Sequence, residues 1–340
     1  MPPVVLAVDG NAIVHRSFHS QACTGFRALG RPYWAVRGLL SQLVAAVDRI
    51  APDVVVVGFD DPDASVRRDR WPQYKAQRVA KLDKLVEQLA AAAEAMRALG
   101  VGVVTPAGLE ADDVLASVAR RAQEIGATTV VMTSDRDAFS LIDAHTKVLR
   151  IINGGVEASP LLTAERLVTL TGVSPEQYRD FAALRGDPSD NLPGVAGIGP
   201  KTAARLLRAL GSARAAFDDP DAVAAGLGAG VAARLAAEGA RERWELNCQV
   251  MTMHDDLPVD LHVDVPGAVG RLPLAADAVH TAFGFLDLPA TAATAARVLA
   301  DAPLPTRPAP PEPDWNAAPR RGRRLPPLVR RPVSDQLTLF

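Results

Sequence analysis

Cysteine is nearly absent. The 340-residue chain holds two, Cys23 and Cys248, too few for a disulfide framework and in keeping with a reducing compartment. No run approaches the about 18 apolar residues of a membrane span. The start, Met1-Pro2-Pro3 ahead of Val4 to Val8, lacks the basic segment and long apolar stretch of a signal peptide. A soluble, cytoplasmic protein without a membrane partner is expected. Lysine is scarce, five residues against 32 arginines, and a net charge is missing too: 37 basic residues meet 39 acidic ones. At face value a net charge of −2 excludes a general nucleic-acid binder. What remains is ordinary for a globular protein, 48% hydrophobic and 22% charged with a mean hydropathy of +0.07. The length exceeds one compact core and suits two domains.

Short β-branched runs at residues 4–8, 53–57, 101–104, 128–132 and 147–151 read as buried parallel strands. Residues 36–50, 82–99 and 112–124 read as helices, the second with Leu82, Leu85, Val86 and Leu89 on one face. The alternation predicts an α/β domain over residues 1–162. From about Thr163 short helices between Gly/Pro turns take over, with a strand expected at Gln249 to His254, and define a mainly helical domain over 163–300. Residues 303–340 hold ten of the 27 prolines and seven arginines against three acids, so 301–340 is expected to be a disordered, basic tail.

Acidic residues follow the strands: Asp9 after 4–8, Asp60 after the second run, Asp135 and Asp137 after the fourth, while Glu110, Asp112 and Asp113 open a helix. Each alone has an ordinary explanation as a cap or turn residue. Together they are different, because the ligand crevice of an open parallel sheet lies beyond the carboxyl ends of its strands. Seven acids gathered on that edge repel one another unless a cation holds them. With no Cys/His cluster nearby, oxygen ligands point to Mg²⁺ or Mn²⁺, and two such ions are the arrangement for in-line displacement at a phosphodiester.

Two basic features complement the acids. Arg67, Arg68, Arg70, Lys75, Arg78, Lys81 and Lys84 fall within 18 residues, interleaved with Trp71 and Tyr74, which suits a nucleic-acid strand. Downstream, Arg185-Gly186-Asp187-Pro188-Ser189-Asp190 leads to Gly197-Ile198-Gly199-Pro200-Lys201-Thr202, a turn before a helix whose free N–H groups and Lys201 can take a phosphate. Asp187 and Asp190 are placed to join the acids across a domain interface. His15 and His19 are assigned no chemistry.

Taken in order, Ala7-Val8-Asp9-Gly10 with Arg16 and His19, Gly58-Phe59-Asp60, Tyr74-Lys75-Ala76-Gln77-Arg78, Gly108 to Asp113, Thr133 to Asp137 and Arg185 to Thr202 resemble the bacterial 5′-nucleases. That flap endonuclease-like family includes the N-terminal 5′–3′ exonuclease domain of DNA polymerase I, and the likeness spans about residues 4–260. It implies a PIN-like parallel sheet with flanking helices, a helical arch near residues 64–97, and a helix-three-turn-helix DNA-binding domain of helix-hairpin-helix type. It implies hydrolysis at 5′ ends and 5′ flaps of branched or nicked duplex DNA, including RNA primers, by a monomer at the nucleoid. Asp9, Asp60, Glu110, Asp112, Asp113, Asp135, Asp137, Asp187 and Asp190 match its metal-site acids. Lys75 and Arg78 match its catalytic basic pair, and Arg67 and Tyr74 belong with them on the DNA-contacting arch. Gly197 and Gly199, with Ile198, Lys201 and Thr202, match the turn that grips duplex DNA and also takes a monovalent cation such as K⁺. The sequence departs from the family at Val66, often aromatic there, and at Val79-Ala80, usually proline. After residue 300 there is only the tail, so a free-standing nuclease is expected.

The final Gln336-Leu337-Thr338-Leu339-Phe340 resembles the Gln-Leu-x-Leu-Phe peptide that binds the DNA sliding clamp, with Gln336, Leu337, Leu339 and Phe340 as its contacts. Two rival readings use fewer of these features: a PIN-type ribonuclease, and a non-catalytic branched-DNA adaptor for the clamp. Assigning nine of the 39 acids to one site leaves 37 basic residues against 30 acidic ones, which removes the objection from net charge.

Overall fold

The computed structural model describes residues 2–20, 25–78 and 80–301. Valine-rich runs form strands Val4–Asp9 (β1), Val54–Gly58 (β2), Gly102–Val104 (β3), Thr128–Thr133 (β4) and Thr146–Arg150 (β5), joined by the short Leu161–Leu162 (β6). They make one sheet in the order β3-β2-β1-β4-β5-β6, parallel throughout except for β6. Leu6 is in register with Val55 on one side and Val130 on the other, so β1 is the central strand. Helices Gly10–Phe18 (α1), Trp34–Ile50 (α2), Val66–Arg70 (α3), Asp83–Leu99 (α4) and Ala111–Glu124 (α5) run between the strands. Two of them stop on left-handed residues, α2 at Ala51 and α4 at Gly100.

The period of two along a strand divides the apolar residues between two cores. Val5, Ala7, Val54, Val56 and Val131 face α5 and the helical half of the chain. Leu6, Val8, Val55, Val57 and Val130 face α1, α2 and α4. This is the expected α/β sheet with helices on both faces, and its continuous valine runs reflect burial on both sides.

Beyond β6 the chain is mainly helical as far as the Ala240–Val250 helix, with the Pro175–Arg185 and Pro200–Leu210 helices in between. Ser174 and Gln177 box the start of the Pro175–Arg185 helix, where the Ser174 N–H donates to Gln177 Oε1 at 3.2 Å. Tyr178 packs on Phe139, ring centroids 5.5 Å apart, and Trp244 stacks on Phe217 while donating its Nε1–H to Asp180 at 3.2 Å. The buried Asn247 amide donates to Ala183 O at 2.9 Å and Pro193 O at 3.0 Å, tying the Ala240–Val250 helix to the turn that leads to Gly197.

The strand expected at Gln249 to His254 is not present. Gln249 and Val250 close a helix, with the Met251 N–H donating to Asn247 O at 2.9 Å, and extended chain follows. Val250, Met251 and Met253 make too short and mixed an apolar pattern to separate a strand from a helix end. After Leu272 the chain crosses to the other face of the sheet. Leu274, Val279, Phe283 and Leu299, carried largely by the Ala276–Gly284 and Pro289–Ala300 helices, join the core built by α2 and α4. Arg297 pairs with Asp48 of α2 at 2.8 Å. No helix among the described residues is long and apolar enough to cross a membrane. The tail and its Gln336, Leu337, Leu339 and Phe340 lie outside the described residues.

Leu299 is fully buried against the α2 side of the sheet. Leu299→Ala should therefore cost about 2–5 kcal/mol in urea-unfolding stability. A cost near zero would mean that these last helices are not integral to the sheet core.

Candidate active site at the carboxyl edge of the sheet

Each carboxylate reaches the edge by a simple local device. Asp9 ends β1 and caps α1, its Oδ1 accepting from the Ala12 N–H at 2.8 Å. Its Oδ2 accepts from the Thr133 hydroxyl at 2.7 Å, at the end of β4. Asp60, just past β2, accepts from the Ala111 N–H at 3.0 Å and from the Asn11 side chain, so that β1, β2 and α5 are stitched at one point. Asp135 and Asp137 follow β4, the Asp137 N–H donating to Asp135 Oδ1 at 3.1 Å. Asp187 caps a 3-10 turn through Ser189 N–H at 2.8 Å, and Asp190 closes that turn. Five of the acids, Asp9, Asp60, Glu110, Asp112 and Asp135, line an open cleft of about 1570 Å³ and face Arg16, Arg37, Lys75, Arg78 and Lys81 there.

Burial and crowding set the charges. Burial pushes the Asp9 carboxyl up to about 7, with the charges of Asp60 and Asp135 adding to it. Burial likewise lifts Asp137 to about 8, helped by Asp135 and Asp190. Asp112 is raised well above the carboxylate range by burial and then by Asp9 and Asp135. Burial also raises Asp60 and Asp190. One oxygen of Asp112 and one of Asp137 are buried without a hydrogen-bond partner. Among the described residues Asp9, Asp112 and Asp137 have no cation paired with them, which is the condition a divalent ion relieves.

Among the described residues no three of these side chains close on one point as a ready-made ligand cage. The donor set fits Mg²⁺ or Mn²⁺ all the same. Such an ion takes one or two carboxylates and keeps several waters, and bare oxygens on Asp112 and Asp137 are hard donors of that kind.

Two carboxylates are already neutralised. Burial alone would raise Glu110, but Lys75 Nζ at 2.9 Å, Arg67 and the Tyr74 hydroxyl outweigh it and hold Glu110 below its ordinary value. Asp113 is fully buried and held low by a two-pronged pair with Arg67, at 2.7 and 2.6 Å, which outweighs the burial. Asp113 also accepts from the backbone N–H groups of Glu110 and His254. With its lone pairs taken and its charge matched, Asp113 is not available as a metal acid, contrary to the expectation from its motif. Arg67 is corrected with it: at 5% exposure, inside the fold, it cannot touch DNA. Tyr74 is equally buried, packed with Leu192 and Val250.

Lys75, Arg78 and Lys81 lie against the acids. Lys75 adopts a left-handed backbone at φ 56° and its N–H donates to Asp190 O at 3.0 Å. Arg78 pairs with Asp190 at 2.6 Å and Lys81 approaches Asp60 at 3.9 Å. His15 lines the same cleft and is lowered to about 4, by burial first and then by Lys81, His19 and Arg78.

At the glycine turn, Gly197 has φ 74° and Gly199 caps the Pro200–Leu210 helix, with Lys201 exposed and Thr202 half-exposed beside it. Ile198 is 3% exposed and anchors the turn in the core, so its side chain contacts protein and not a ligand. Sequence reasoning missed three participants. Asn11 and Thr133 fix Asp60 and Asp9, and their places at a helix start and a strand end were a usable signal. Arg234 donates to Gly197 O at 3.0 Å and lies where a Cβ on Gly197 would sit; nothing in the sequence marked it.

An open parallel sheet with an acidic carboxyl edge, overlaid by basic side chains and continued into a helical half with a glycine turn, is the architecture of a nuclease. The chain belongs to the 5′-3′ exonuclease family: residues 4–170 match its N-terminal resolvase-like domain and residues 173–267 its C-terminal SAM fold. It is 34% identical over 286 residues to DNA polymerase I of Mycobacterium bovis, covering 84% of this chain and 30% of that one. It is 36% identical over 258 residues to the thermostable DNA polymerase I of Thermus thermophilus, covering 76% and 29%. The chain thus spans about 30% of the length of these relatives. The bacteriophage T5 flap endonuclease, solved as a pseudo-enzyme-product complex with DNA and metal ions, shares the fold at a TM-score of 0.59 and 18% identity, covering 87% of this chain and 99% of that one.

Asp9 and Asp137 keep a proton in the fold that the unfolded chain gives up above about pH 4. Stability without divalent ions should therefore fall as pH rises from 5 through 8, by a few kcal/mol. The lowered Glu110 and Asp113 act only below that window. Differential scanning calorimetry in EDTA checks the slope, and Mg²⁺ should abolish it; a flat profile in EDTA would contradict the proposed protonation.

Proposed function

We propose that the chain is a divalent-metal-dependent, structure-specific 5′-nuclease that hydrolyses phosphodiesters at 5′ ends and 5′ flaps of duplex DNA, in primer removal and repair. The observation that carries this is one cleft in which unneutralised Asp9 and Asp112 meet the Lys75 and Arg78 cations, with Asp137 buried behind Asp135 of the same lining. The named contents of the T5 crystal, DNA and metal ions, agree with it.

Asp9, Asp60, Glu110, Asp112, Asp135, Asp137, Asp187 and Asp190 would hold the metal ions directly or through water. Two Mg²⁺ or Mn²⁺ ions, when bound, supply an activated water and charge stabilisation at the transferring phosphate. Lys75 and Arg78, now on Glu110 and Asp190, are placed to exchange those carboxylates for the scissile phosphate once the acids have other counter-charge. The duplex is held through the backbone N–H groups after Gly199 and through Lys201 and Thr202, with Gly197 letting the backbone come close and K⁺ proposed for the same turn. Arg234 braces that turn.

The clamp is proposed as a partner on the strength of the Gln336 to Phe340 pattern and the Pro/Arg-rich tether before it. Deleting residues 336–340 should abolish co-elution with the sliding clamp and leave cleavage of free oligonucleotides intact; unchanged co-elution refutes the motif.

The decisive assay is cleavage of a 5′-flap duplex during Mg²⁺ titration. The Asp135→Asn/Asp137→Asn variant should lose activity by roughly 10³-fold or more while still binding the flap. Undiminished cleavage sinks the nuclease reading, and preferential cutting of single-stranded RNA would favour a ribonuclease instead.

A further inference from the structure

Arg67 was expected on DNA and is instead one of the most completely engaged side chains in the fold. Its Nη1 and Nη2 take both oxygens of Asp113, at 2.7 and 2.6 Å. Nη1 also reaches Glu110 Oε2 at 3.3 Å, Nη2 reaches Thr252 O at 3.0 Å and Nε reaches Val250 O at 3.2 Å. All five N–H groups of the guanidinium are thereby used. Asp113 extends the same network to the backbone N–H groups of Glu110 at 2.9 Å and His254 at 2.8 Å. Three stretches distant in sequence meet here: the basic stretch at α3, the start of α5 and the end of the Ala240–Val250 helix.

A buried ion pair is a poor way to gain stability, because apolar side chains of equal volume often do as well or better. What it supplies is direction. The carboxylate next to it is Glu110, gripped by Arg67, by the Tyr74 hydroxyl at 2.9 Å and by Lys75 Nζ at 2.9 Å. The Tyr74 ring in turn packs on Leu192 and Val250 of the helical half.

We propose that Arg67 and Asp113 are a positioning pair that sets Glu110 and Lys75 at the acidic edge against the helical half, so that the two halves present one site. The role in turnover rests on the nuclease reading; the mechanical coupling does not.

Arg67→Lys keeps the charge but has three donors for five acceptors. It should fold, bind flap DNA in EDTA as the unaltered protein does, lose about 10–100-fold in kcat and need more Mg²⁺ for half-maximal rate. The Arg67→Met/Asp113→Leu double variant is the sharper arm. It leaves the Glu110 and His254 N–H groups without their carboxylate, so it should be less stable than the unaltered protein but folded, and show the same kcat and Mg²⁺ defects. If it instead restores ordinary kinetics, the pair is only a structural tie and the proposal falls. A loss confined to DNA affinity in Arg67→Lys overturns it too, since Arg67 would then contact the substrate.

Hydrogen exchange reads the coupling without DNA or metal. Amides of residues 66–78 and 250–254 should lose protection together in Arg67→Lys, and unchanged protection in 250–254 overturns the proposal. A parent protein inactive on flaps would count against the nuclease reading alone, with exchange still deciding the coupling.

Discussion

Like-charge crowding at the carboxyl edge of the sheet is the constraint that organises this molecule. A parallel sheet delivers its strand ends to the same side, and here β1, β2 and β4 each end on or just before an acid. The fold resolves the repulsion in two ways. Where a cation can be brought in and buried, the carboxylate is ionised and fixed, as at Asp113 with Arg67 and at Glu110 with Lys75. Where none is available, the carboxyl is driven toward its protonated form, as at Asp9 and Asp137. The second group is unsatisfied by design of the site, and it is this group that has affinity left for a divalent ion. A site in which every acid had its own arginine would be more settled and chemically inert.

The basic stretch follows from the same constraint. Its contacts with Glu110 and Asp190 are opposite-charge pairs at the rim of the cleft, and they also close the distance between the sheet and the helical half. Arg78 is half-exposed in its pair, so water and salt screen it and exchange for a phosphate costs little. Arg67 is the contrary case: its desolvation makes the pair with Asp113 hard to give up. One basic segment therefore supplies both a permanent fixture and exchangeable partners, separated by burial alone.

That difference explains what could be read from sequence. The strands were legible because valine runs buried on both faces have few other readings, and the acidic edge because Asp9, Asp60 and Asp135 sit just after such runs. Asp112 and Asp113 are neighbours in one motif, and nothing local separates an acid with a bare oxygen from one consumed by Arg67. The partner lies 46 residues upstream and meets it only through the tertiary fold. Ile198 follows the same logic, since a turn that holds a ligand with its backbone needs a side chain pointing the other way to anchor it. Arg234 acts on Gly197 through a carbonyl, a contact available to any long donor, so residue type carried no signal.

The return of the chain to the α2 face adds a last consequence. A sheet buried on both sides needs both faces covered, and α1, α2 and α4 leave apolar surface that Leu274, Phe283 and Leu299 complete. The family match ends at residue 267, so this cover is supplied by chain beyond it. The crossing segment also touches the sheet edge: the Gly270 N–H donates to Gly100 O at 2.8 Å, the Val55 N–H donates to Gly270 O at 2.8 Å and the Leu272 N–H to Asp53 O at 2.9 Å. Gly270 needs φ 77° there and has no room for a Cβ against Val55 O. The closing helices are therefore bound to the opposite end of β2 from Asp60. Strand β2 is held at both ends, by backbone pairing at its start and by Asn11 and Ala111 around Asp60 at its finish, and that rigidity keeps one wall of the acidic cleft in place.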